Sequence, residues 1–159
     1  MSNNRDARYT TAGRALGEAR IRNRPTRKGG CDCPIIVEGR KDRITLESIG
    51  FTGKIEQMNR GWNQSRFIAY IFEKYGIINK VDQGPSVILL MDWDRTGGRL
   101  QRKIGERLEA FGMKVDHETR MELVRAMKPE GRTVEGLKSH ADTLRPYIDV
   151  FDVVGSEEE

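Results

Sequence analysis

The sequence predicts an α/β domain built on a mostly parallel, four-stranded sheet with helices on both faces, a Rossmann-like arrangement. Three observations carry that reading. Short apolar runs bounded by turn residues occur at 33–37 and 86–91, as expected of strands buried on both faces. Between and after them, apolar residues recur at helical spacing, most plainly Phe67, Ile68, Ile71, Phe72 and Tyr75. From Cys33 onward the two kinds of segment alternate, which is the order of parallel β–α–β units.

The elements follow in turn. The first strand spans 33–37 and leads into a helix carrying Ile44, Leu46 and Ile49, which ends at Gly50. A short second strand is expected at 54–58. Ser65 is the expected N-cap of the next helix, closed by Gly76. Its aromatics follow one helix face, so they read as core and not as a base-stacking platform. The third strand is 86–91. After it, Leu100, Ile104, Leu108 and Phe111 form another apolar stripe closed by Gly112. Lys114 and Val115 mark a fourth strand. Two further helices are expected near 119–127 and 134–147, the last capped by Thr133.

With 159 residues, 36% hydrophobic and 33% charged, the chain reads as one domain of a water-soluble, cytoplasmic protein. No apolar stretch approaches the roughly 18 residues of a membrane span. Cys31 and Cys33 lie too close for a disulfide framework and read as reduced cysteines flanking the first strand. His117 and His140 read as satisfied histidines without a catalytic part.

The net charge of +4 is unevenly spread. Residues 1–30 carry Arg5, Arg8, Arg14, Arg20, Arg22, Arg24, Arg27 and Lys28 against Asp6 and Glu18, so the remainder is slightly acidic. Large apolar residues are scarce there. The segment is therefore expected to be a loose basic arm laid on phosphate backbones, with Arg20, Arg22, Arg24, Arg27 and Lys28 as its nucleic-acid contacts. Residues 31–150 form the domain proper, and 151–159 an acidic tail.

The chemistry concentrates at strand ends. Asp92-Trp93-Asp94 follows the third strand and precedes Arg95-Thr96-Gly97-Gly98. Alternate residues of an extended segment point the same way, so two carboxylates are presented together, with Trp93 turned away into packing. Paired like charges have no use in a core, and hard oxygen ligands suit Mg²⁺, or Mn²⁺ in its place. Glu38-Gly39 ends the first strand, where Gly39 is expected to allow a tight turn. Glu38 converges on Asp92 and Asp94 if the strands are parallel neighbours, and clustering should raise its proton affinity. Asp42 falls in a first helical turn, which acids favour. Arg40, Lys41, Arg60 and Arg95 lie in the adjoining loops and suit a polyanionic substrate. Asn59 and Gly61 end the second strand, where backbone close to a substrate is useful.

Val37-Glu38-Gly39-x-x-Asp42, Ile49-Gly50, Asn59-Arg60-Gly61 and Asp92-x-Asp94-x-x-Gly97, in that order, resemble a Toprim domain. That is the catalytic α/β module of topoisomerases, bacterial primases, some nucleases and small stand-alone archaeal-type proteins. The resemblance covers roughly 34–115. It implies Mg²⁺ at Asp92 and Asp94, with Glu38 as general acid/base or further ligand. It also implies RNA or DNA as partner, within a ribonucleoprotein or a replication or repair assembly.

The expected activity is metal-dependent phosphodiester cleavage or RNA processing. One alternative is a non-catalytic nucleic-acid or ribonucleoprotein-binding factor. Another is a phosphatase of haloacid-dehalogenase type. There Asp92 would be nucleophile and Asp94 general acid, with Asp149 and Asp152 as the late acidic pair.

Overall fold

A computed structural model describes residues 2–153. Its centre is a four-stranded sheet of β1 (Ile35–Val37), β2 (Ile55–Gln57), β3 (Val87–Leu89) and β4 (Val115–Asp116). All neighbours are parallel, in the order β2-β1-β3-β4. Ile35 pairs with Ile55 on one side and Ile88 on the other. The chain therefore moves outward from β1 in one direction to β2 and in the other through β3 to β4. The reversal lies between β1 and β3, and open α/β sheets bind ligands at that crevice, beyond the strands' carboxyl ends.

Both faces are covered. Ile36, Val87, Leu89 and Met91 point to one side, against α3 (Gln64–Tyr75) and α4 (Arg95–Ala110). Ile35, Val37, Ile88 and Leu90 point to the other, against α1 (Ser2–Asn23), α2 (Arg40–Ser48), α5 (Glu118–Met127) and α6 (Ala141–Phe151). The alternation along each strand is the period-two pleat of a sheet buried on both faces.

The loose basic arm is corrected. Residues 2–23 form α1, which buries Tyr9, Ala12, Leu16 and Ala19 on one side. Apart from Tyr9 and Leu16 this face is built from small residues, so it escapes a search for large apolar ones. A Cβ on Gly13 would come within 2.5 Å of Tyr147, and one on Gly17 within 2.9 Å of Phe151, so these glycines let α1 and α6 approach closely. Arg20, 1% exposed, donates to Asp152 at 2.6 Å, to Asp149 at 2.7 Å and to the Ile49 carbonyl at 2.9 Å. Arg24 also pairs with Asp152, and Arg22 clasps Asp82 at 2.6 Å. Arg20 and Arg24 are thus buried structural charges, withdrawn from nucleic acid, and Arg22 is held in an internal ion pair. Arg27 and Lys28 stay exposed in a 3-10 turn (Thr26–Lys28).

Smaller corrections have local causes. Asn63, not Ser65, caps α3, its side chain accepting from the Arg66 N–H at 2.8 Å. The Ser65 hydroxyl instead accepts from Arg107. Phe111 is 51% exposed and stacks on Phe72 outside the core. The last helical stretch divides into a 3-10 segment (Glu135–His140) and α6. Thr133 Oγ1 accepts from the Gly136 N–H at 2.9 Å, the bond expected of a cap. Beyond Val153 the expected acidic tail lies outside the described residues. Cys31 and Cys33 are both free thiols, and burial pushes Cys33 up to about 12. Among the described residues no helix is long and apolar enough to cross a membrane.

Candidate active site

The crevice between β1 and β3 gathers the carboxylates predicted for it. Glu38 follows β1 directly, and its carbonyl accepts the Asn59 N–H at 2.9 Å, continuing the β1–β2 ladder by one rung. Its side chain reaches the other way, Oε2 accepting the Asp92 N–H at 2.9 Å. Glu38 therefore ties the loop after β1 to the loop after β3. The tightest acidic pair is Glu38–Asp92, across strands, and not Asp92–Asp94 along the chain. The reason is that α4 begins immediately: Asp94 is its N-cap, with Oδ1 accepting the Gly97 N–H at 2.6 Å. Capping turns Asp94 toward its own helix.

Asp92 is half-buried, and its pKa is pushed up to about 6. Burial is the main cause. The Val134 N–H, which donates to Asp92 Oδ1 at 2.7 Å, pulls the other way, and the charges of Glu38 and then Asp94 add to the rise. Asp42 is buried as the N3 acid of α2, its Oδ2 accepting the Gly39 N–H at 2.9 Å. Burial raises its pKa too, against the pull of that N–H and with a smaller push from Asp92. Its part is helix capping beside the site.

The loop after β3 is held rigidly. Trp93 packs in the core as expected, its ring N–H donating to the Gly131 carbonyl at 2.6 Å and its backbone N–H to the Arg132 carbonyl at 2.7 Å. Gly97 is required: a Cβ there would lie 1.9 Å from the Asp92 carbonyl oxygen. Gly39 plays another part than expected. Its φ of −152° is ordinary extended backbone, and a Cβ would meet nothing nearer than Asn59 Nδ2 at 3.9 Å. It leaves open space beside Glu38 and forms no tight turn.

Of the predicted cations, Arg40, Lys41 and Arg95 stand exposed at the first turns of α2 and α4. Arg60 is committed elsewhere. It donates to Glu56 at 2.9 Å and to the Gln57 carbonyl at 2.8 Å, and lies over the rings of Trp62, Phe67 and Tyr70. Exposed Asn59 and Gly61 border the site, Gly61 with a φ of 79° that suits glycine. Asp149 and Asp152 are engaged by Arg20, so the phosphatase reading loses its late acidic pair.

One residue escaped sequence reasoning. Arg120, on the first turn of α5, donates Nε to the Met91 carbonyl at 3.1 Å and Nη2 to the Asp92 carbonyl at 2.9 Å. Burial lowers its pKa against the pull of Asp92, Glu38 and Asp94. No motif marks it, because it reaches the site from a helix that follows a different strand. Nearby, Gln101 accepts the Met91 N–H at 3.1 Å, donates to the Leu89 carbonyl at 2.9 Å and lies 2.8 Å from His117 Nδ1. The other histidine, His140, meets the Tyr9 hydroxyl at 3.3 Å, so both are satisfied by neighbours.

The donor set suits a hard divalent cation. Glu38 Oε2, Asp92 Oδ1 and Asp94 Oδ1 each take a backbone N–H, which leaves a second oxygen on every carboxylate. Burial raises the Asp92 pKa most, and the smaller push from the Glu38 and Asp94 charges is the part a cation would relieve. Among the described residues, no three His, Cys, Asp or Glu side chains form a ready-made cage. Mg²⁺, which takes one or two carboxylates and keeps several waters, would not need such a cage.

No family model matches the chain. A solved structure of an Aquifex aeolicus protein superposes with a TM-score of 0.52 at 21% identity, covering 76% of this chain and 93% of that one, a likeness of fold. Among curated proteins, a UPF0292 protein of Methanosarcina acetivorans is 33% identical over 121 residues, 74% of this chain and 76% of that protein. A UPF0292 protein of Thermococcus onnurineus is 36% identical over 103 residues, 65% of this chain and 69% of its own length. One from Pyrococcus horikoshii is 35% identical over 105 residues, 66% and 71% of the two chains. With identity above 30% over more than two thirds of a relative's length, the chain belongs to the UPF0292 family.

Proposed function

We propose that the β1–β3 crevice is a Toprim-type centre that binds Mg²⁺ or Mn²⁺ and cleaves a phosphodiester bond of RNA or DNA. The observation that carries this reading is the convergence of Glu38 from one strand end with Asp92 and Asp94 from the next, at the switch point of a parallel sheet. Asp92 and Asp94 would hold the cation, with Glu38 as the acid/base or a further ligand. The cation supplies charge neutralisation to the phosphate oxygens.

The residues themselves do the rest. Glu38 gives a proton to the leaving oxygen as the phosphorus–oxygen bond breaks. A water oxygen bonds to phosphorus, and its proton returns Glu38 to the acid form. Arg120 fixes the carbonyls of Met91 and Asp92, so the carboxylate loop keeps its shape. Exposed Arg40, Lys41 and Arg95 draw a polyanion toward the rim. Such a protein belongs in nucleic-acid processing, alone or within a ribonucleoprotein, replication or repair assembly.

A second reading, a binding factor without turnover, draws on the hydrogen bonds that already occupy one oxygen of each carboxylate. Calorimetric Mn²⁺ titration and single-turnover cleavage of co-purifying nucleic acid test both. Glu38→Gln is expected to keep the fold and substrate binding and to lose about 10²–10⁴-fold in cleavage rate. Cleavage by Glu38→Gln at the wild-type rate removes Glu38 from the chemistry. Metal and nucleic-acid binding without any cleavage by wild type puts the binding factor ahead.

A further inference from the structure

Beside the acid cluster, on the far side of Arg120, lies a groove of about 870 Å³ that no motif marks. Its walls are one face of α4, through Gly98, Arg102, Glu106 and Glu109, and one face of α5, through Arg120, Met121, Val124 and Lys128. The steps of three and four along 98, 102, 106 and 109, and along 121, 124 and 128, are what a single helix face presents. Since α4 and α5 cover opposite faces of the sheet, the groove runs past the edge formed by two-residue β4. Gly98 lies in the first turn of α4 after Asp94, and Arg120 contacts the Asp92 carbonyl, so one end of the groove adjoins the carboxylates. From Gly98 to Glu109 it extends about 16 Å at 1.5 Å per residue, room for a few nucleotides.

Four cations, Arg102, Arg120, Arg125 and Lys128, line it against two acids, Glu106 and Glu109. Arg120 stands at the acid end, exposed Arg102 on the α4 wall, and exposed Arg125 and Lys128 at the far end of α5. Of the two acids on the α4 wall, Glu109 faces His117 at 3.6 Å. Between the cations lie Met121, 48% exposed, and half-buried Val124. An apolar floor with cations beside it fits a chain that alternates flat bases and phosphates. The groove is one helix gap wide, and its lining offers apolar surface that duplex phosphates would not use.

Resting on the reading of the carboxylates as the reacting centre, we infer that this groove holds a single strand of nucleic acid. Its phosphates are matched to exposed Arg102 and Lys128, and the strand leads past Arg120 to Asp92. The protein's substrate is then single-stranded, and the strand is gripped on the β4 side of the scissile bond.

The test is binding of a fluorescent oligonucleotide of about a dozen nucleotides, followed by anisotropy over a salt series, with Ca²⁺ in place of Mg²⁺ to hold back cleavage. Arg102→Glu/Lys128→Glu alters two exposed side chains and should leave the melting temperature unchanged. It is expected to bind at least tenfold more weakly. Its dependence of log K on log salt should be shallower by about 1.4, which is two single-strand phosphate contacts. Mn²⁺ uptake by the same variant, measured by calorimetry, should match wild type.

Equal affinity and equal salt slope in the double variant overturn the groove. So does wild type that binds no oligonucleotide, binds a duplex of the same length more tightly, or binds a mononucleotide as tightly as the strand. If wild type grips the strand through these residues but takes up no Mn²⁺, the groove stands and the catalytic reading falls. If it takes up Mn²⁺ and the double variant binds the strand like wild type, the groove falls and the carboxylate site stands.

Discussion

Asp94 carries two duties that a conservative substitution separates. It caps α4 through Oδ1, and it adds negative charge beside Asp92. Asn preserves a capping oxygen and removes the charge, whereas Ala removes both. Asp94→Asn is therefore expected to melt close to wild type and to bind Mn²⁺ more weakly. Asp94→Ala should also lose about 1 kcal/mol of stability. Thermal melts alongside calorimetry read the two effects apart, and undiminished Mn²⁺ binding by Asp94→Asn would leave this residue a cap alone. The positions of Glu38, Asp92 and Asp94 were readable in the sequence because each follows an apolar run at a strand end. Which pair would be closest was not readable. That depends on Asp94 turning to cap α4, a choice made by the Gly97 N–H three residues on.

Among the elements, β2 and α3 are joined by a charge cluster distant in purpose from the carboxylate site. Glu56 is 5% exposed and accepts from Tyr75, from Arg60 at 2.9 Å, from Tyr70 at 3.0 Å and from Lys74 at 3.3 Å. Burial alone would raise its pKa, but these bonds outweigh it and the net shift is downward. A carboxylate depressed on folding contributes stability that is fully present above its unfolded pKa. That stability is lost as the pH falls through the folded value. Denaturation midpoints should therefore decline below the ordinary glutamate range, and Glu56→Gln should flatten that decline. At neutral pH the substitution should cost about 1–3 kcal/mol, the range for hydrogen bonds to a charged group, because Arg60 and Lys74 stay partly exposed. A variant with unchanged stability and an unchanged acid limb would show that Glu56 contributes nothing on balance. No motif hints at this cluster: Glu56 occupies a strand position like any polar edge residue, and apart from Arg60 its partners come from a helix 14 to 19 residues later.

For the molecule as a whole, the order β2-β1-β3-β4 places the reactive residues, and much of it was visible beforehand in apolar runs, glycine stops and strand–helix alternation. What stayed hidden depends on contacts across long stretches of chain. α1 looked like a free arm because Ala12, Gly13, Ala15, Gly17 and Ala19 make a packing face without bulk, and because buried arginines read as solvent-facing until their acids are known. Arg120 was invisible for a related reason, its partners lying 28 and 29 residues upstream. The arginine–aspartate cluster is testable. Asp152→Ala takes the shared carboxylate from Arg20 and Arg24 and should destabilise by about 3–5 kcal/mol in urea denaturation. Mn²⁺ binding by the molecules that remain folded should be unaltered. A loss below 1 kcal/mol would mean that Asp149 alone satisfies Arg20.

The same cluster sets a timetable for biosynthesis. Arg20 and Asp152 are 132 positions apart. At ribosomal speeds of about 5–20 residues per second, roughly 7–26 s pass between the appearance of the guanidinium and that of its carboxylate. Through that interval the sheet can acquire α3 and α4 on one side, while the opposite side still waits for α6. The nascent chain is then half-clad, with an amphipathic helix and two unneutralised arginines facing water. That is the stage at which a chaperone or a premature neighbour has most to grasp.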